Sequence, residues 1–308
     1  MKPRILVLYF TQTGQLRHII DNILQDIRDK VELEYAAIEP VTPYPFPWKA
    51  IPFFDTMPET VQHIPIEMKP LPDHIMNGQY DLVIFGWQPW FLNPSLPITS
   101  FLQSPSAKVL SGKNVITVIG ARNMWLHAQE KVKMYLEQLN ARLVANIALV
   151  DTNTNIISTL TVIRWSFTGR KEAKGLLPAA GVQEKDIQLA QRYGTPIYTH
   201  LTEHKLEQLH QELMMIGSVK LNPGLVLLEQ RGIKNFRYWS KYIREKGGPG
   251  DPARAGRVKQ FKNLLIVAIF ILSPITALAA AIQLQIKKKS LLKDVAYFKG
   301  LKYEKGRI

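Results

Sequence analysis

Along the first 150 residues, short unbroken apolar runs alternate with stretches in which apolar residues recur every three or four positions. Residues 5–10, ILVLYF, form a continuous β-type run, the pattern of a central parallel strand covered on both faces. Behind it, Ile19, Ile20, Ile23, Leu24 and Ile27 keep helical spacing. Further strands are expected at 31–38, 81–86, 114–120 and 144–150, with a helix over 128–139. Residues 183–216 read as mostly helical, with a break near Gly194–Pro196. The stretch VTPYPFPWKAIPFF, residues 41–54, carries four prolines and is expected to be irregular. Strands alternating with helices predict an α/β fold with a doubly wound, five-stranded parallel sheet.

The pattern changes towards the C-terminus. Over residues 231–248, Ile233, Phe236, Trp239 and Ile243 share one helical face, while Lys234, Arg237, Lys241 and Arg244 occupy another. A basic face beside an aromatic-rich one suits a helix lying in a membrane interface, and equally an amphipathic helix packed on its own domain. GGPGDPARAG, residues 247–256, reads as a linker. Residues 263–286 contain no charged side chain and are long enough to cross a bilayer. Arg254, Arg257, Lys259 and Lys262 precede that run, and Lys287, Lys288, Lys289 and Lys293 follow it. The expected organisation is an α/β domain over 1–216, a basic amphipathic linker over 217–262, a hydrophobic membrane segment over 263–286 and a basic tail over 287–308.

Charge sharpens this division. The net charge is +14, yet residues 1–150 and 151–230 each balance to zero, so the whole excess lies in 231–308. A basic segment confined to one end points to an anionic membrane surface, with the main domain in the cytoplasm. Nucleic acid is not expected, because the basic segment adjoins an apolar run rather than a base-stacking platform. The six apolar residues behind Lys2 and Arg4 are too few for a secretory signal. The chain has no cysteine, which excludes disulfides, thiolate metal sites and a cysteine nucleophile.

Candidate chemistry gathers at the expected strand ends. In an open α/β sheet, ligands bind outside the carboxyl ends of the strands. TQTGQL, residues 11–16, leaves the first strand and opens a helix, where hydroxyls, backbone N–H groups and the helix dipole suit a single phosphate. It lacks the lysine of a P-loop and is not GxGxxG. A helix cap alone would also account for its threonines and glycine. GWQPWFLNPSLPITSFL, residues 86–102, follows the third strand, and GARNMWLHAQE, residues 120–130, the fourth. Their tryptophans, Trp87, Trp90 and Trp125, are candidate walls for a flat ring on a phosphate tail.

With these motifs the chain resembles flavodoxin-like FMN proteins over roughly residues 1–216. Thr11, Thr13 and Gly14 match the family's T/S-x-T-G-x-T phosphate loop, and Leu16 stands where threonine is usual. The resemblance implies FMN as cofactor, held by Thr11, Gln12, Thr13, Gly14, Gln15 and Leu16. It also implies Trp87, Trp90 and Phe91 from the second flavin loop, and Arg122, Asn123 and Trp125 from the third. The chain is further similar to the subgroup labelled dialkylresorcinol-condensing enzymes, through TQTGQL, GARNMW and the insert DTNTNIISTLTVIRWSFTGRK before LLPAAGV. That implies a lipidic substrate, a place in bacterial aryl-polyene or flexirubin-type pigment biosynthesis, and a ketosynthase and an acyl carrier protein as partners. Without a cysteine nucleophile, oxidation of a dialkyl cyclohexanedione-type precursor fits better than condensation. A flavin-free scaffold and a flavodoxin-type electron carrier are the alternatives.

No catalytic residue is assigned. Arg122 is a candidate partner for a reduced flavin or an anionic substrate, and His127 for a proton relay, each weighed against an ordinary surface or packing role. HLTEHKLEQLH, residues 200–210, holds one Glu-x-x-His pair and no His-Glu-x-x-His, so a solvated helix face is expected there rather than a metal.

Overall fold

The computed structural model describes residues 1–221, 223–272 and 288–307. Five strands, β1 (Arg4–Tyr9), β2 (Glu32–Ala37), β3 (Leu82–Trp87), β4 (Asn114–Ala121) and β5 (Arg142–Val150), form one parallel sheet in the order β2-β1-β3-β4-β5. The helices used below are α1 (Gln15–Leu24), α2 (Ala50–Asp55), α3 (Met57–Gln62), α4 (Leu96–Leu102), α5 (Leu126–Gln138) and α6 (Asn155–Thr168). They continue with α7 (Gly194–Thr202), α8 (Leu206–Met215), α9 (Pro223–Arg244), α10 (Ala255–Val267) and α11 (Lys288–Lys299). The strand order is that of the flavodoxin-like doubly wound fold, whose switch point lies beyond the carboxyl ends of β1 and β3.

The apolar runs work as central strands should. In β1, Ile5 and Val7 face one core with α1 and α8, while Leu6 and Leu8 face the other with α4 and α5. All four are fully buried, each worth roughly 1.5–3 kcal/mol relative to exposure. Tyr9 lies opposite Ala37 on one side and Gly86 on the other, so the three strands reach the same edge in register.

Three expectations shift in detail. The proline-rich stretch contains α2, because Pro52 falls in its first turn, where a missing N–H is not needed. In 183–216 a 3₁₀ stretch, Leu189–Tyr193, interrupts the helix directly before Gly194, near the expected break, and a second interruption falls at 203–205. Gly194 and Pro196 open α7, while His204 adopts the left-handed region with φ 56°. The insert at 151–171 supplies α6.

The larger difference is C-terminal. Residues 217–262, expected as a linker, contain α9 and the first part of α10, which runs on to Val267 in the expected membrane segment; both helices pack on α2 and α3 around a third apolar cluster. Ile233 and Ile243 are buried, Phe236 and Trp239 half-buried, and Lys234, Arg237 and Lys241 exposed. The apolar face of the amphipathic helix is therefore covered by the protein's own core. Gly232 permits this approach, since a Cβ there would stand 2.8 Å from Leu92 Cδ1. Arg254, expected among the basic flanks of a membrane segment, is fully buried and bonds Asp55 Oδ1 at 2.7 Å and Glu59 Oε1 at 2.8 Å. In the basic tail, α11 sends Leu291 and Phe298 into the main core. Among the described residues no helix is long and apolar enough to cross a membrane. Of the expected membrane segment, residues 273–286 lie outside the described residues.

Candidate functional site

The loop leaving β1 is shaped by Gly14, whose φ of 82° is a left-handed conformation that costs glycine little. Thr11 Oγ1 accepts the Gly14 N–H at 3.1 Å and Thr13 Oγ1 accepts that of Gln15 at 3.5 Å. No side chain caps α1, so its next amides stay available at the positive end of the helix dipole. The loop is tied on three sides. The Gln12 N–H reaches Gln88 Oε1 at 3.4 Å, and its side-chain amide donates to the Tyr44 and Pro45 carbonyls. The Gln15 side chain exchanges two 3.0 Å bonds with the Val182 backbone. Leu16 turns down onto the sheet, where its Cδ atoms lie 3.5 Å from the Cβ positions of Gly86 and Gly120.

Above this edge lies a cavity of about 600 Å³, within the range of cofactor and ligand sites. Gln12, Thr13, Gln15, Leu16, Trp90, Phe91 and Arg122 all line it. The other expected site residues do not. Thr11 and Gly14 shape the loop beneath it. Trp87 is fully buried in β3 and Trp125 is 2 % exposed at the start of α5, both inside the main core, so neither is a wall. Asn123 donates to Asn155 Oδ1 at 2.9 Å and helps fix α6.

Other aromatic residues supply the walls. Phe46, Trp48 and Phe53 come from the proline-rich segment, Trp165 from α6 and Phe236 from α9. They interlock edge to face: Trp48 with Trp90 at 5.7 Å, Trp48 with Phe53 at 5.6 Å, and Phe46 with Trp165 at 6.2 Å. The aromatic density of VTPYPFPWKAIPFF and the tryptophan in the insert were the available signals. Leu228 and Asn235 of α9, Leu265 of α10 and the following Ile269 complete the enclosure. The C-terminal elements thus form one side of the cavity.

Arg122 and Arg231 both bring positive charge to the cavity. One end of the Arg122 guanidinium donates to Asn155 Oδ1 at 2.8 Å and Thr159 Oγ1 at 2.7 Å, both neutral groups. Among the described residues no carboxylate lies within ion-pair distance of it, and burial draws its pKa down to about 10 against the attraction of Asp151. A half-buried guanidinium held by neutral groups beside an apolar cavity favours an anionic ligand.

His127, considered for a relay at this site, lies elsewhere, lining a second cavity behind α5. His200 and His204 do not share a helix face, because His204 stands in the turn after α7, and His210 contacts the Lys299 carbonyl at 2.8 Å. No group of residues able to hold a metal ion occurs among the described residues.

No family model matches the chain, and no curated protein does. Solved structures similar to it include a WrbA-like flavodoxin from Agrobacterium tumefaciens, 11 % identical, covering 66 % of this chain and all of that one at TM-score 0.39. A flavodoxin from the domain Archaea is 11 % identical over 65 % of this chain and 99 % of that one, at TM-score 0.32. A flavone reductase is 9 % identical over 66 % and 64 %, at TM-score 0.36.

Proposed function

We propose that this protein is an FMN-dependent oxidoreductase acting on an apolar cyclic substrate. The observation that carries the reading is a single convergence: the uncapped N-terminus of α1, the Arg122 guanidinium and a ring of aromatic side chains meet in one cavity of about 600 Å³. These residues suit the group. The amides of α1 and Thr13 would receive a phosphate. Trp90, Trp165 and Phe46 would flank a flat ring, and Arg122 would stabilise negative charge on it. When bound, FMN supplies a two-electron acceptor. The chain's own part is to orient the substrate against apolar walls, exclude water through α9 and α10, and hold charge with Arg122.

The TQTGQL and GARNMW motifs support the narrower reading of dialkylresorcinol biosynthesis. There the reaction would remove two hydrogens from a dialkyl cyclohexanedione-type precursor and leave the aromatic ring. The uncharged run 263–286, between basic flanks, supports association with an anionic membrane surface from the cytoplasmic side.

An absorption spectrum of the full chain, purified in mild detergent, tests the reading. Added FMN is expected to co-purify with a band near ~450 nm. Arg122→Ala is expected to keep the fold and weaken retention about tenfold, the worth of one charge-assisted contact. No binding with FMN in excess would overturn the cofactor assignment, and bound FMN without turnover of a cyclic dione would overturn the reaction.

A further inference from the structure

The second cavity shares no lining residue with the first. It measures about 200 Å³ and lies where α3, α5 and α9 meet. Two helical pairs face it, His127 and Lys131 one turn apart on α5, and Ile233 and Arg237 one turn apart on α9. His63, at the end of α3, and Asn93 close another side.

The chemistry of the lining is one-sided. It contains four basic side chains and no carboxylate. The neighbouring acids are committed elsewhere. Glu130 pairs with Lys133 at 2.6 Å. Glu229 accepts the backbone N–H groups of Leu126 and His127 at 3.2 and 2.9 Å. Among the described residues, neither Lys131 nor Arg237 has a carboxylate within ion-pair distance.

The two histidines differ. Asn93 Nδ2 donates to the Phe91 carbonyl, which leaves Asn93 Oδ1 to accept from His63 Nε2 at 3.1 Å. His63 Nδ1 then accepts from the Tyr135 hydroxyl at 3.0 Å, so both its ring nitrogens are used. His127 is 3 % exposed, and its buried Nδ1 has no partner. That nitrogen has no accessible surface, so the His127 ring meets the cavity with its other atoms.

We infer that this cavity is a binding site for a small oxyanion of the phosphate class, held between Lys131, Arg237 and the His127 ring. The volume is ample for one such group. An oxyanion would supply the countercharge that this lining lacks. The source is either free phosphate or the phosphomonoester head of a lipid. Burial already lowers the pKa of His127, and Lys131 of its own helix, Arg237 of α9 and His63 beyond α3 lower it further. Lys131 is lowered by burial and by Arg237, with Glu130 acting the other way. A bound dianion reverses those contributions, so it draws a proton onto His127. Above the second pKa of phosphate, where the free ion is a dianion, linkage then makes affinity rise as pH falls. Two acids lie near His127. Glu130, three residues on, is paired with Lys133. Glu229 accepts the His127 N–H; burial raises the pKa of Glu229 to about 7, so its ionisation above that pH opposes an anion in the same direction.

The test is a titration of the full chain with inorganic phosphate, following the His127 ring resonances by NMR. Phosphate is expected to move those resonances and raise the apparent pKa of His127, with tighter binding at pH 6 than at pH 8. Lys131→Gln and Arg237→Gln are each expected to weaken binding about tenfold. Arg122→Ala, in the other cavity, is expected to leave it unchanged. Vesicles of phosphatidylcholine with phosphatidic acid form the second arm: a His127 shift with vesicles but not with free phosphate assigns the site to a lipid head, and the reverse assigns it to the free ion. Unmoved His127 resonances in both arms would sink the proposal in the native protein, whatever the variants do. Binding abolished by Arg122→Ala would place the anion in the larger cavity and overturn it as well.

Discussion

The neutral state of His63 is fixed by what surrounds it. Its ring is used by Tyr135 and Asn93, and burial with the charge of Lys131 brings its pKa down to about 4. Because the unfolded chain takes up this proton near pH 6.5, the folded state loses stability as pH falls from about 6.5 towards 4, by about 1.4 kcal/mol per pH unit for this one group. His63→Asn keeps a residue that tolerates the φ of 53° at this position and removes the titration. Comparing urea denaturation at pH 6 and pH 5, the acid-induced loss in the variant is expected to be about 1 kcal/mol smaller than in the parent. Equal losses would mean the histidine is already charged in the native protein. Such a residue is invisible in sequence, because a histidine between Gln62 and Ile64 carries no mark of the Asn93 and Tyr135 that reach it from other elements. Thr13, Gln15 and Arg122 were legible for the opposite reason: strand ends define the ligand edge of this fold before any packing is known. Trp87 and Trp125 misled because an aromatic next to that edge looks the same whether it faces the cavity or the core.

At the scale of elements, the strands read plainly because fully buried parallel strands must be apolar throughout. Helix α9 did not, since one amphipathic pattern serves a membrane interface or a protein groove, and what decides between them is the groove itself. Glu229 shows how firmly that groove holds it. The carboxylate of α9 sits on the backbone N–H groups that open α5, directly behind the β4 loop. Burial raises its pKa to about 7, and the amides of His127, Leu126 and Trp125 hold it from rising further. With the folded value above the unfolded one, its stabilisation is full below about pH 4.5 and declines as pH rises through 7. Glu229→Gln keeps an acceptor for one amide and removes the proton linkage. Relative to that variant, the parent is expected to lose about 1.4 kcal/mol per pH unit between pH 5 and pH 7. A difference that stays flat with pH would show that the helix end keeps the carboxylate ionised throughout.

For the whole molecule, the question is what closes the larger cavity, because α1, β3 and β4 alone leave one side open. The closing elements, α9 and α10, are joined to the N-terminal half through Arg254, which reaches Asp55 Oδ1, the Asp55 carbonyl and both oxygens of Glu59. Glu59 is 3 % exposed and Arg254 is fully buried, so removing only the cation strands a buried carboxylate. Arg254→Met is expected to cost about 3–5 kcal/mol, while Arg254→Met with Glu59→Gln is expected to recover more than half of it, as buried pairs behave when both partners are replaced. Hydrogen exchange should locate the loss in α2, α3 and α10 and spare β1, β3 and β4. If closure by these helices is what makes the cavity a site, the single variant should also release FMN and the double variant regain it. Retention of FMN despite fast exchange in α10 would mean that the sheet edge binds the cofactor alone, and that the C-terminal helices shape only the space left for the substrate.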